Sequence, residues 1–161
     1  MFVKQAGVVL AATLSALGAG GLVMQLGAHA LALPVRAATP PQNAILKSPD
    51  GHYWATAEVN GAAVRFLVDT GSSVVTLTPA DAERLGLDTA RLTYDRPVYT
   101  AAGDQQGASV TLDHIAVAGA RVDHVKAIVM RAGLPASLLG MSYLGRLSRI
   151  EATPERLVLS R

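Results

Sequence analysis

The chain contains no cysteine. Disulfides and thiolate-ligated metal centres are therefore excluded, although this absence identifies no compartment. Aromatic residues are nearly as scarce: one Trp, four Tyr and two Phe in 161 residues. Val, Leu and Ala must do most of the packing, and no aromatic platform accompanies the arginines for stacking on bases. Charge is also sparse and balanced, with 14 Lys and Arg against 12 Asp and Glu and a formal net charge of +2. Without a basic stripe, nucleic acid is set aside as a partner. Apolar residues, by contrast, make up 50% of the chain, which rules out a disordered polymer. The length suits one ordinary domain plus an extension.

Charge is missing altogether from one region. Between Lys4 and Arg36 runs "QAGVVLAATLSALGAGGLVMQLGAHALALP", without a single Asp, Glu, Lys or Arg. A bilayer span needs ~20 apolar residues, and a signal-peptide core usually has only ~7–15. Residues 1–33 are expected to be a transmembrane signal anchor, with residues 6–33 in the membrane. A cleaved signal peptide is the alternative, because Ala28-His29-Ala30 and Ala30-Leu31-Ala32 both fit a small-x-small processing site. The glycine interruption and the lack of a polar face argue against a buried core helix. Either outcome exports the remainder. Residues 34–51, rich in Pro, Ala and polar groups, read as a linker.

From His52 onward the pattern is β. "HYWATAEV" alternates, Asn60-Gly61 is a strong two-residue hairpin signal, and "AAVRFLV" returns. "SVVTL" reads as a buried strand. "TPADAERLGL" reads as a short helix, with Thr78 as N-cap, Pro79 at N1 and Gly86 just past its end. Two strands meet at a tip near Ala102-Gly103-Asp104, and another follows a turn at Gly119-Ala120. "LPASLLGMSYLGRL" opens as a loop and becomes a short helix. "SRIEAT" and "RLVLS" form a closing pair around Pro154. The sum is a mostly-β domain over residues 52–161 with one or two short helices, which points to a small closed barrel-like or sandwich-like architecture.

Asp69 ends the run "VRFLV" and is followed at once by Thr70 and Gly71. Asp-x-Gly after a strand is ordinary turn chemistry. It also suits a reactive carboxylate. Peptide hydrolysis without a metal needs a base for water and an acid for the carbonyl oxygen or the leaving nitrogen, and two carboxylates sharing a proton supply both. Gly71 permits a turn and leaves its N–H free to approach the carboxylate. The Thr70 hydroxyl can brace a neighbouring segment. Ser72 offers a hydroxyl that would favour the ionised carboxylate if it donated to it. The alternative for Ser72 is a strand-entry serine that satisfies backbone.

Beyond the tripeptide, the sequence resembles the retropepsin-like aspartic proteases over about residues 52–161. The motifs are Phe66-Leu67-Val68, then Asp69-Thr70-Gly71-Ser72, then Val74-Val75, and much later Leu138-Leu139-Gly140 before a short helix. The match looks closest to bacterial members with an N-terminal membrane segment. The resemblance implies the acid-protease fold, Asp69 as the catalytic residue, and Thr70, Gly71 and Ser72 as supports of its loop. It implies that Leu138, Leu139 and Gly140 pack beside that loop, and that Thr100, Ala101, Ala102, Gly103 and Asp104 belong to a flap over an extended peptide substrate. No cofactor or metal is implied. With one Asp-Thr-Gly per chain, each copy supplies half a dyad, so a homodimer is expected. The expected location is a bacterial inner membrane, crossed once, with the catalytic domain in the periplasm, or secretion to the periplasm after cleavage near Ala30 or Ala32. "RLVLS" could pair across the dimer interface. A non-catalytic dimerisation or peptide-binding module on the same fold is the alternative.

Other residues compete for attention. His114 and His124 each follow an aspartate, but a turn at Gly119-Ala120 would set His124 opposite Ile115 and Asp113 opposite Lys126. That favours a solvated strand face over a metal pair. No Gly-x-Ser-x-Gly elbow supports a serine hydrolase. Tyr53-Trp54 reads as a packing or linker-docking pair, and Arg96, Arg146 and Arg149 as surface charge.

Overall fold

A computed structural model of the chain describes residues 43–100 and 103–161. The expected membrane segment lies outside the described residues, as do Ala101 and Ala102 at the expected flap tip. No helix among the described residues is long and apolar enough to cross a membrane.

The strands are β1 Ala44–Leu46, β2 Trp54–Val59, β3 Ala62–Val68, β4 Val75–Leu77, β5 Arg96–Thr100, β6 Gly103–Val117, β7 Ala120–Met130, β8 Ser137–Leu139, β9 Arg149–Ala152 and β10 Arg156–Ser160. Helix α1 spans Pro79–Arg84, α2 spans Met141–Leu144, and a 3₁₀ turn covers Thr89–Arg91. Seven strands form one sheet in the order β2-β3-β8-β4-β7-β6-β5. Pairing of Glu58 and Val59 with Ala116 and Ile115 joins β2 to β6 and closes the barrel, leaving β5 outside it. The fold is mostly β and closed, as the resemblance implies.

Local rules account for much of this. Asn60 and Gly61 both take left-handed backbone, with φ of 49° and 88°, so β2 and β3 meet in a tight hairpin. Alternation then buries Ala55, Ala57 and Val59 of β2 and Val64 and Phe66 of β3. Helix α1 is capped as expected: the Thr78 hydroxyl accepts from the Asp81 N–H at 3.1 Å. β4 is buried throughout because β7 flanks it on one side and β8 on the other.

Three expectations change. The linker does not extend to residue 51, because β1 lies within it and pairs antiparallel with β10, burying Ile45. Tyr53 and Trp54 fasten this segment. The Tyr53 hydroxyl donates to the Thr153 carbonyl at 2.7 Å, and the Trp54 indole donates to Asp50 at 2.8 Å. Second, β10 is no free edge. It sits between β1 and β9 in a separate three-stranded sheet, and its alternation sends Leu157 and Leu159 into the core. Third, the β6–β7 turn is Ala118-Gly119, with φ of 47° and 83°. A two-residue turn there pairs Val117 with Ala120, so Asp123 faces His114 and Lys126 faces Thr111. His114 instead meets Glu58 across the barrel seam, 2.7 Å from Nε2 to Oε1. That bond and the Gly61 N–H hold the Glu58 carboxyl below the usual range.

Candidate active site

Strand β3 delivers Asp69 to the floor of a cleft of about 410 Å³. The backbone beside it is fixed by β8, which runs parallel to β3 with Phe66, Leu67 and Val68 opposite Ser137, Leu138 and Leu139. One residue further on, the Asp69 N–H donates to the Leu139 carbonyl at 3.2 Å. The chain then turns so that the Gly71 N–H donates to Asp69 Oδ1 at 2.8 Å. A Cβ on Gly71 would lie only 3.1 Å from that oxygen, so glycine lets the amide and the carboxylate close on each other.

Gly140 locks the far side of the loop. A Cβ there would fall 2.2 Å from the Val74 carbonyl oxygen and 2.8 Å from that of Ser72. Only hydrogen fits between these backbones. The next amide, Met141 N–H, donates to the Ser72 carbonyl at 2.8 Å. Ser142 adds a clasp: its hydroxyl accepts from Val75 N–H at 2.8 Å and donates to the Lys126 carbonyl at 2.7 Å. Leu138, Leu139 and Gly140 thus pack beside the Asp69 loop. Buried Ser137 ties β8 to α1 through Asp81 Oδ2, at 2.5 Å. The sequence pattern presents this stretch as a loop, since three residues are too few for alternation to show. β8 is a strand because β3 and β4 sit on either side of it.

Ser72 serves the backbone. Its hydroxyl donates to the Val74 carbonyl at 2.8 Å rather than to Asp69, because the turn from Asp69 to Val74 folds that carbonyl back within reach. The expectation that Ser72 tunes the carboxylate directly is corrected accordingly. Thr70 is exposed at the loop apex.

The cleft's other wall is the hairpin of β5 and β6, in which Thr100 pairs with Gly103. The Thr100 hydroxyl donates to the Gly103 carbonyl at 2.8 Å, and Gly103 and Asp104 are exposed. Val98, Tyr99, Met130, Leu134 and Pro135 also line the cleft. The motif gave no sign of them, since they are ordinary apolar residues in strands or loops. Tyr99 stands 79% exposed, more than any other large hydrophobic side chain among the described residues. Among the described residues, Asp69 is the one carboxylate lining the cleft.

Residues 55–146 match the family model described as "gag-polyprotein putative aspartyl protease". Among curated relatives, the uncharacterized protein RP867 of Rickettsia prowazekii (strain Madrid E) is 37% identical over 116 residues, covering 72% of this chain and 50% of the relative. An uncharacterized Sinorhizobium protein encoded in the cobV 5′ region is 40% identical over 114 residues, covering 70% and 49%. The chain thus spans about half the length of the curated relatives it matches. Among solved structures, a retropepsin-like aspartic protease from Rickettsia conorii superposes with a TM-score of 0.66 at 37% identity, covering 72% of this chain and 87% of that one. EIAV protease complexed with the inhibitor HBY-793 gives 0.50 at 20% identity, covering 61% and 89%, a likeness in fold alone. With its Asp-Thr-Gly loop clasped by Leu-Leu-Gly at the floor of a cleft, the chain belongs to the retropepsin-like aspartic protease family.

Proposed function

We propose that the chain is an aspartic endopeptidase whose active site forms when two copies bring their Asp69 side chains together on a two-fold axis. The observation that carries this reading is a rigidly mounted carboxylate that is alone in its cleft among the described residues. One carboxylate cannot act as base and acid at once, and a second copy supplies the missing partner. Two carboxylates face to face share one proton. The ionised one takes a proton from water as the water oxygen attacks the scissile carbonyl. The protonated one gives its proton to the carbonyl oxygen. The tetrahedral intermediate then collapses: the carboxyl that took the water proton gives it to the leaving nitrogen, a hydroxyl of the intermediate returns its proton to the other carboxylate, and the C–N bond breaks to release acid and amine.

Thr70, exposed beside Asp69, braces the second copy's loop. With β10 enclosed, the outer edges of β1 and β9 are left for pairing with that copy. Leu46 on β1 is 59% exposed and Ile150 on β9 is 36% exposed, so both edges carry apolar surface. The β5–β6 hairpin covers an extended peptide and excludes bulk water. The uncharged segment 6–33 supports attachment to a membrane with the domain on its outer side. Mass measurement of the mature N-terminus tests this, and a start just after Ala30 or Ala32 would replace the anchor with a cleaved signal.

The catalytic reading is tested with the full chain and its Asp69→Asn variant against a peptide library across pH. Loss of at least about 10³-fold in kcat/KM with an unchanged melting temperature is expected. Equal cleavage by both proteins would overturn the mechanism, and binding without cleavage would favour a peptide-binding module. Specific activity should fall on dilution as the dimer dissociates. Activity strictly linear in protein down to full dissociation would exclude the shared site.

A further inference from the structure

Beside the Asp69 cleft lies a second groove of about 540 Å³. The two share their walls. The catalytic loop contributes Ser72 to the first and Val74 to the second, β5 contributes Val98 and then Pro97, and β7 contributes Met130 and then Ile128. An extended chain leaving the Asp69 cleft along β5 therefore runs into the groove. Its lining differs in character. Arg96 and Lys126 stand there with the hydroxyl residues Ser109 and Thr111, and among the described residues no Asp or Glu lines it. Arg96 Nε donates to Ser109 Oγ at 3.1 Å, which orients the guanidinium and leaves its other nitrogens available. Among the described residues neither Arg96 nor Lys126 belongs to an ion pair.

Resting on the peptidase reading, we infer that Arg96 and Lys126 make this groove an outer subsite that selects an acidic side chain of the substrate, away from the scissile bond. A carboxylate there meets two cations and two hydroxyls and no repelling charge. A substrate lysine meets two like charges. In a two-fold dimer the groove occurs once at each end of the cleft, so the preference applies on both sides of the cut bond.

The test uses the full chain and peptides with a constant apolar centre, flanked at successive outer positions by Glu, Gln or Lys. The readout is the Glu-to-Gln ratio of kcat/KM within each protein. At one outer position on each side the wild type should prefer Glu by roughly 3–10-fold, less at high salt, since the groove is open to solvent. Arg96→Gln with Lys126→Gln should bring the ratio to about one, and Arg96→Glu should turn the preference toward Lys. Affinity of the same peptides for Asp69→Asn protein, measured by fluorescence anisotropy, gives the ratio independently of turnover. If wild type cuts nothing while Asp69→Asn protein still favours Glu through Arg96 and Lys126, the peptidase reading fails and the subsite stands. A ratio near one at every position, or one that survives the double substitution, overturns the subsite whether or not peptides are cut.

Discussion

The Asp69 loop and the β5–β6 hairpin face one cleft and are held in opposite ways. The loop is tied on every side. Leu139 accepts from its first amide, Met141 donates to Ser72, and Gly140 leaves no room for even a methyl group. The hairpin is tied on one side. β5 pairs with β6 alone and lies outside the closed barrel, and its Arg96, Pro97 and Tyr99 are exposed. The difference suits a site in which the reacting carboxylate must stay fixed while the cover admits and releases a chain. Positioning errors at the carboxylate cost rate directly, whereas a cover has to open.

Substituting the glycine that clasps the loop attacks the comparison most severely. Gly140→Ala forces a Cβ into two backbone carbonyls, so thermal or urea unfolding should show a loss of about 3 kcal/mol or more, with activity lost as well. A loss under about 1 kcal/mol would show that the loop yields. On the other wall, Tyr99→Ala should leave stability within about 0.5 kcal/mol. It should raise KM several-fold with a smaller change in kcat, as removal of a substrate-facing ring would. A melting shift as large as that of Gly140→Ala would erase the contrast between the walls. Ser72→Ala removes a single bond to the Val74 carbonyl, a cost of about 1 kcal/mol. Because that hydroxyl does not donate to Asp69, the acid limb of the pH–rate profile should stay in place. An upward shift of the limb would mean that Ser72 turns to the carboxylate in the assembled site.

The smallest effect lies at the barrel seam, whose Glu58 and His114 do not line the cleft. Bonds from His114 and the Gly61 amide lower the folded-state pKa of Glu58 below its ordinary 4.5. A depressed carboxyl stabilises the fold fully above its unfolded value, and this contribution is lost as pH falls through the folded value. His114→Ala should therefore lower the melting temperature slightly at neutral pH, as followed by circular dichroism, with the deficit shrinking as pH falls through the folded value. A melting temperature unmoved at neutral pH would show that the pair does nothing for the seam.

Much of this architecture was legible in the residues. Alternation and turn chemistry marked the β2–β3 hairpin, and the Thr78-Pro79 cap marked α1, because these signals are local. The Asp-Thr-Gly and Leu-Leu-Gly motifs marked the two halves of the site. What escaped was non-local. β1 and β8 are three-residue strands whose conformation comes from their neighbours. The turn at Ala118-Gly119 differs from Gly119-Ala120 by one residue, yet it changes which side chains meet across β6 and β7. The apolar residues of the cleft carry no signature of their own.

By itself, the sequence determined that a lone Asp-Thr-Gly carboxylate ends an apolar strand in a mostly-β domain. Composition and local backbone preference suffice for that. Only the tertiary structure decided that Gly140 fills the space between Ser72 and Val74, that Ser72 serves backbone, that β10 is enclosed, and that Arg96 and Lys126 share a groove at the cleft's end. Those facts depend on contacts between residues far apart in the chain, where register and close packing rather than local propensity choose the partner.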